Sequence, residues 1–199
     1  MRIRGQYLFT AQPIFGVLIG TLLATSAFGI DRPYPGPFVE NDDILMVIIP
    51  RSSEQMAAFY EARGFPEAAL ELITSACFVT VHIENKSERV IWLETANWHL
   101  SSSDMALQRL GKTHWDTRWD EINLPLANRA TFAWTQLPVQ RDLQPDEPVG
   151  GNIVLEGNVR KFNLEAHFPT GRDKRGGMLE VRFQDIECPE KEARKAPTR

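Results

Sequence analysis

A chain of 199 residues, 43% hydrophobic and 24% charged, has the make-up of one ordinary globular domain and excludes a largely disordered or membrane-embedded protein. Its formal net charge of −4 argues against a nucleic-acid partner, which asks for a basic surface. No cofactor is expected and no catalytic residue is nominated, because the sequence holds no phosphate loop, GxGxxG, HExxH, paired CxxC or GxSxG elbow.

Residues 1–29 open with Arg2 and Arg4, run through an apolar block over 14–24, and end in Thr25, Ser26, Ala27, Phe28 and Gly29. This is the layout of a secretory signal peptide. Cutting after Ala27 and cutting after Gly29 both satisfy the small-x-small rule, and the choice stays open. Retained, the segment would be an anchor and bring membrane contact, although its apolar part is shorter than the roughly 20 residues a spanning helix needs. Without it the chain carries 20 basic residues against 26 acidic, and the expected location is the periplasm or the cell exterior.

Residues 30–43 hold Pro33, Pro35 and Pro37, which suit an extended lead-in or an edge, since proline donates no ladder hydrogen bond. The domain proper is expected over 44–188. It begins with the β-branched run 44–49, read as a buried strand that Pro50 ends. Two short helices follow as an insertion over 53–75. Ser52 and Gln55 fit a capping box, Gly64 supplies a stop, and Pro66 with Glu67 opens the second helix. They either cap one end of the core or present Phe59, Tyr60 and Phe65 to a partner.

In the stretch 76–93, Cys77, Val79, Val81 and Ile83 fall on one face of an alternating run, 85–88 are turn formers, and 90–93 resume an apolar run. The pattern predicts a central β-hairpin. Further on, 104–110 suits a helical turn ended by Gly111. The span 112–123 reads as a loop rich in Trp and charge, 130–137 as a strand with Phe132 and Trp134 on one face, and 138–151 as a long polar loop. The last third alternates most clearly. Phe162, Leu164, Ala166 and Phe168 are answered by Leu179, Val181 and Phe183 across a basic tip at 172–175, and 189–199 is a polar tail.

Cys77 and Cys188 bracket nearly the whole domain, and in an exported chain they are expected to pair. Leu179, Val181 and Phe183 share one parity and Ile186 and Cys188 the other, so a bulge near Gln184 or Asp185 is needed to turn Cys188 inward.

Short strands with turn signals between them, closed by a long-range disulfide, predict a mainly β fold: an immunoglobulin-like β-sandwich with a two-helix insertion. The run EPVGGNIVLEG over 147–157, with the paired strands that follow to Phe183, resembles the closing half of bacterial exported immunoglobulin-like domains. The resemblance covers the C-terminal third and implies a binding or accessory module. It carries over no catalytic residue.

The expected function is therefore a non-catalytic exported protein that binds a protein partner in the cell envelope, through Phe59, Tyr60 and Phe65 or through Trp115 and Trp119. The alternative is a metal-binding protein using His99, His114 and Asp116, since imidazole and carboxylate ligate zinc or copper.

Overall fold

The computed structural model describes residues 34–103 and 105–189, so the signal-peptide reading of 1–29 and the polar tail from 190 onward lie outside the described residues. The elements are β1 (Phe38–Glu40), β2 (Ile44–Arg51), α1 (Ser53–Glu61), α2 (Glu67–Thr74), β3 (Cys77–Asn85), β4 (Ile91–Glu94), β5 (His99–Ser102), β6 (Met105–Leu107), α3 (Lys112–Glu121), α4 (Leu126–Trp134), β7 (Gln140–Leu143), β8 (Pro148–Leu155), β9 (Lys161–Pro169) and β10 (Met178–Glu187). They form a mainly β structure of antiparallel sheets with four helices, where two were expected. One sheet has the order β1-β2-β3-β8, a second β10-β9-β5-β6, and β4 pairs with β7.

The first sheet is covered on both faces, and this explains why β2 reads as continuous apolar sequence. Ile44, Met46 and Ile48 join Val79, Val81, Ile83, Val149 and Ile153 in a core shared with Leu164, Ala166, Phe168, Val181 and Phe183 of the second sheet. Phe78 and Val154 have the opposite parity and belong to a second core with Met56, Tyr60, Leu70, Ile73, Trp115, Trp119 and Phe132 of the helices. The chain is thus layered as helices, sheet and sheet.

The expected helical pair is present. Ser52 accepts the Gln55 amide and the Gln55 side chain accepts the Ser52 amide, a complete capping box. Gly64 ends the turn at φ +75, a conformation glycine adopts without steric cost.

Five other expectations are corrected. The central hairpin does not form: β3 lies between β2 and β8, and β4 pairs with β7. Buried Asn85 causes the break. Its side chain donates to the carbonyls of Arg89 (2.7 Å) and Leu143 (2.9 Å) and accepts from the Ser87 amide and hydroxyl, a local turn that diverts the chain to a different strand. The expected turn at 104–110 includes strand β6, paired with β5. The Trp-rich loop is helix α3, and the strand at 130–137 is largely helix α4. Ala127, Ala130 and Ala133 favour a helix there, and the period-2 placing of Phe132 and Trp134 was coincidental. The polar loop at 138–151 contains β7 and the start of β8.

The bulge is where it was needed. The β9–β10 register shifts between Phe183 and Ile186, and Asp185 sits at φ 55 with its amide donating to Asn163 Oδ1 at 2.9 Å. The shift turns Ile186 and Cys188 into the core and closes the Cys77–Cys188 disulfide, with the Cα atoms 5.8 Å apart.

Candidate ligand cavity between the third and fourth helices

Helical spacing builds the walls of a cavity of about 680 Å³. On α3, Lys112, Trp115, Asp116, Trp119 and Asp120 follow an i, i+3, i+4, i+7, i+8 stripe, and on α4, Leu126, Arg129, Ala130 and Ala133 do the same; all nine line the cavity. Trp115 and Trp119 stack with ring centroids 5.0 Å apart, and both meet Phe132. The floor is the segment from Gln136 to Val139, fastened to the edge of β8. The Leu137 amide donates to Asn152 O (3.0 Å), and the Asn152 amide to Thr135 O (2.8 Å). This close approach requires glycine in β8, because a Cβ at Gly151 would sit 2.4 Å from the Leu137 nitrogen.

The rim is apolar. Leu126 and Val139 line the cavity and are 80% and 70% exposed. Trp134, at the end of α4, is 89% exposed and lines a separate depression with Arg51, Phe59, Thr80 and Asn152. There Arg51 Nε donates to Thr80 Oγ1 (2.9 Å), which donates to Asn152 Oδ1 (2.8 Å).

The charges of the cavity wall are not balanced. Lys112 pairs with Asp116, and Arg129 with Asp120. Arg129 also donates to the carbonyls of Trp119 (3.0 Å) and Leu124 (2.7 Å), holding the end of α3. Arg109 donates to Thr95 Oγ1 (3.2 Å) and to the Leu137 carbonyl (2.6 Å). Among the described residues no carboxylate lies within ion-pair distance of it. Burial lowers its pKa from the ordinary value, and a guanidinium stays protonated regardless. Trp115 carries a buried indole N–H without a partner among the described residues, as does Trp98 in the inter-sheet core.

The residues proposed as a partner surface are mostly core. Tyr60, Phe65, Trp115 and Trp119 are buried against the first sheet, so they form no docking patch. Phe59 alone stays at the surface, 36% exposed with the Arg63 guanidinium 3.4 Å above its ring. The proposed metal residues are also not brought together. His99 lies on β5. His114 and Asp116 lie on α3, where His114 packs edge-on to Trp115 and Asp116 is held by Lys112.

Among the described residues, the group with ligand atoms close enough for a shared ion is Glu165, His167 and Glu180, all within 4.8 Å of one another. They stand on the outer face of the second sheet. His167 lies 2.9 Å from Glu165, its ring centroid is 5.4 Å from that of His99, and Arg182 reaches both carboxylates. Burial pushes the Glu165 carboxyl up most, but the His167 hydrogen bond and the Arg182 charge together hold it below the usual range. The Arg182 guanidinium already offsets the charge of both carboxylates.

Sequence reasoning missed Arg109, Leu126, Trp134 and Val139. For Leu126 the available signal was the stripe Trp115/Trp119 against Leu126/Arg129/Ala133, which has helical rather than strand period.

No family model matches the chain, and no curated protein does. Two solved structures are similar in part. One is ycdA, a proposed lipoprotein of Bacillus subtilis, with 10% identity over 76% of this chain and a TM-score of 0.42. This chain spans 39% of its length. The other is the yjhA protein of Bacillus subtilis, with 10% identity, 66% of this chain and 77% of that one covered, and a TM-score of 0.37. Neither score reaches the level at which a function could be argued.

Proposed function

We propose that this protein is a non-catalytic exported binding module, an immunoglobulin-like β-sandwich whose helical layer holds a small apolar ligand. The observation that carries the reading is the cavity itself. Its volume falls within the roughly 300–1,000 Å³ usual for ligand clefts, and its lining is mostly apolar with a few polar groups. Export is supported by the Cys77–Cys188 disulfide, which needs an oxidising compartment to persist, and by the basic-then-apolar pattern of residues 1–29. None of the helices among the described residues is long and apolar enough to cross a membrane. A protein partner in the envelope retains a smaller foothold, because four of the five aromatic residues suggested for it are internal.

The test is uptake of a neutral fluorescent probe, N-phenyl-1-naphthylamine. Saturable binding at one probe per chain is expected. It should be lost in Ala130→Trp and Ala133→Trp, which fill the cavity from exposed positions on α4 and should leave the far-ultraviolet spectrum and Tm near those of the parent. Absence of saturable uptake, or uptake unchanged in both folded variants, overturns the proposal.

A further inference from the structure

We infer that the ligand of this cavity is an amphiphile with a carboxylate head and an apolar tail, and that Arg109 receives the head. The inference rests on the binding-module reading and adds the chemistry of what is bound. Three cations and two carboxylates line the cavity. Two of the cations have an acid of their own, and Arg109 has none among the described residues. Its bonds to Thr95 and Leu137 account for two of five N–H donors.

A half-buried guanidinium facing an apolar wall without a counter-charge is costly, and an incoming anion offsets that cost. A carboxylate matches the planar fork of donors in a way that a spherical ion or a neutral hydroxyl does not. One unpaired positive charge calls for one negative charge. The apolar tail follows from the rest of the lining: Trp115, Trp119, Leu126, Ala133 and Val139 supply surface that a polar ligand could not use. The unpartnered Trp115 N–H does not by itself point to a ligand, since Trp98 in the inter-sheet core also carries one.

The experiment is competition against the bound neutral probe, using decanoate, 1-decanol, decylamine and acetate with the full chain. Decanoate is expected to bind at least about tenfold tighter than decanol, the usual margin for a hydrogen bond gaining a charge. Decylamine should bind more weakly than decanol, and acetate, a head without a tail, should not compete. In Arg109→Gln the preference for decanoate over decanol should vanish while decanol binding persists, and Arg109→Lys should retain part of it.

Persistence of decanol binding shows that the variant is folded with its cavity intact. Equal affinity for decanoate and decanol in the parent, or a preference that survives Arg109→Gln, overturns the inference and leaves the binding reading standing. Failure of the neutral probe itself to bind removes both.

Discussion

The hydroxyl of Tyr60 on α1 lies 2.6 Å from Oγ1 of Thr135, the residue that caps α4. Thr135 gives its own proton to the Phe132 carbonyl at 2.7 Å, so Tyr60 is the donor of the pair. This bond ties the first helix to the element that walls the cavity.

Burial pushes the Tyr60 pKa up to about 12, against an opposing effect from the Thr135 hydrogen bond. An unfolded tyrosine titrates near 10, so the folded state holds this proton more tightly. Below about pH 10 the side chain is neutral in both states and has no pH-dependent effect. As pH rises from about 10 towards 12 the unfolded chain is stabilised by ionising first, and the fold loses up to about 2–3 kcal/mol. Urea unfolding at pH 9 and pH 11.5 should show this loss in the parent and not in Tyr60→Phe. At neutral pH that variant should be less stable by about 0.5–1.5 kcal/mol.

Two tryptophans of the helical layer should behave in opposite ways. Trp119 is 1% exposed and packs on Trp115 and Phe132, so Trp119→Ala is expected to cost about 3–5 kcal/mol. Trp134 stands in solvent, and Trp134→Ala should change stability by less than about 0.5 kcal/mol. Denaturant midpoints of the two variants measured side by side decide this, and equal losses would contradict the layering described above.

The disulfide spans a sequence separation of 111. In the chain-entropy description, closing a loop of that length stabilises the fold by about 4–5 kcal/mol. Cys77→Ser/Cys188→Ser should therefore lose a large part of a typical domain's stability of about 5–15 kcal/mol, read as a lower Tm and a lower urea midpoint with an unchanged fold at low temperature.

Since His99 and His114 share no group of ligand atoms among the described residues, their responses to zinc should be independent. In histidine NMR spectra, His114→Ala should leave the zinc-dependent shift of His99 unchanged, whereas His167→Ala should alter it, because the His99 and His167 rings are neighbours. A coupled loss at His99 and His114 would restore the pairing that the sequence alone suggested.

The helical insertion, the last β pairing and the inward turn at Cys188 were legible in the sequence because each depends on neighbours within a few residues. Ser52 meets Gln55 across one helical turn, and the parity conflict between Phe183 and Ile186 could be resolved only by the bulge that is found. The Trp115 and Trp119 helix was less legible, since its hydrophobic stripe is narrow and its remaining residues are polar or charged. Arg109 carried no signal at all, because its lack of an acidic partner among the described residues depends on what surrounds it in space.

Alternation and capping by themselves determined which residues face a core: period 2 in β3 and β9, a capping box before α1, and two cysteines that must both turn inward. Only the tertiary structure decided which surface covers each face. Backbone periodicity is a local property, set by the angle between successive side chains, whereas the partner of a strand is chosen by long-range competition. β2 and β8 occupy both edges of β3, which leaves β4 to pair with β7. The helices then fill the far face of the same sheet and enclose the cavity beside it.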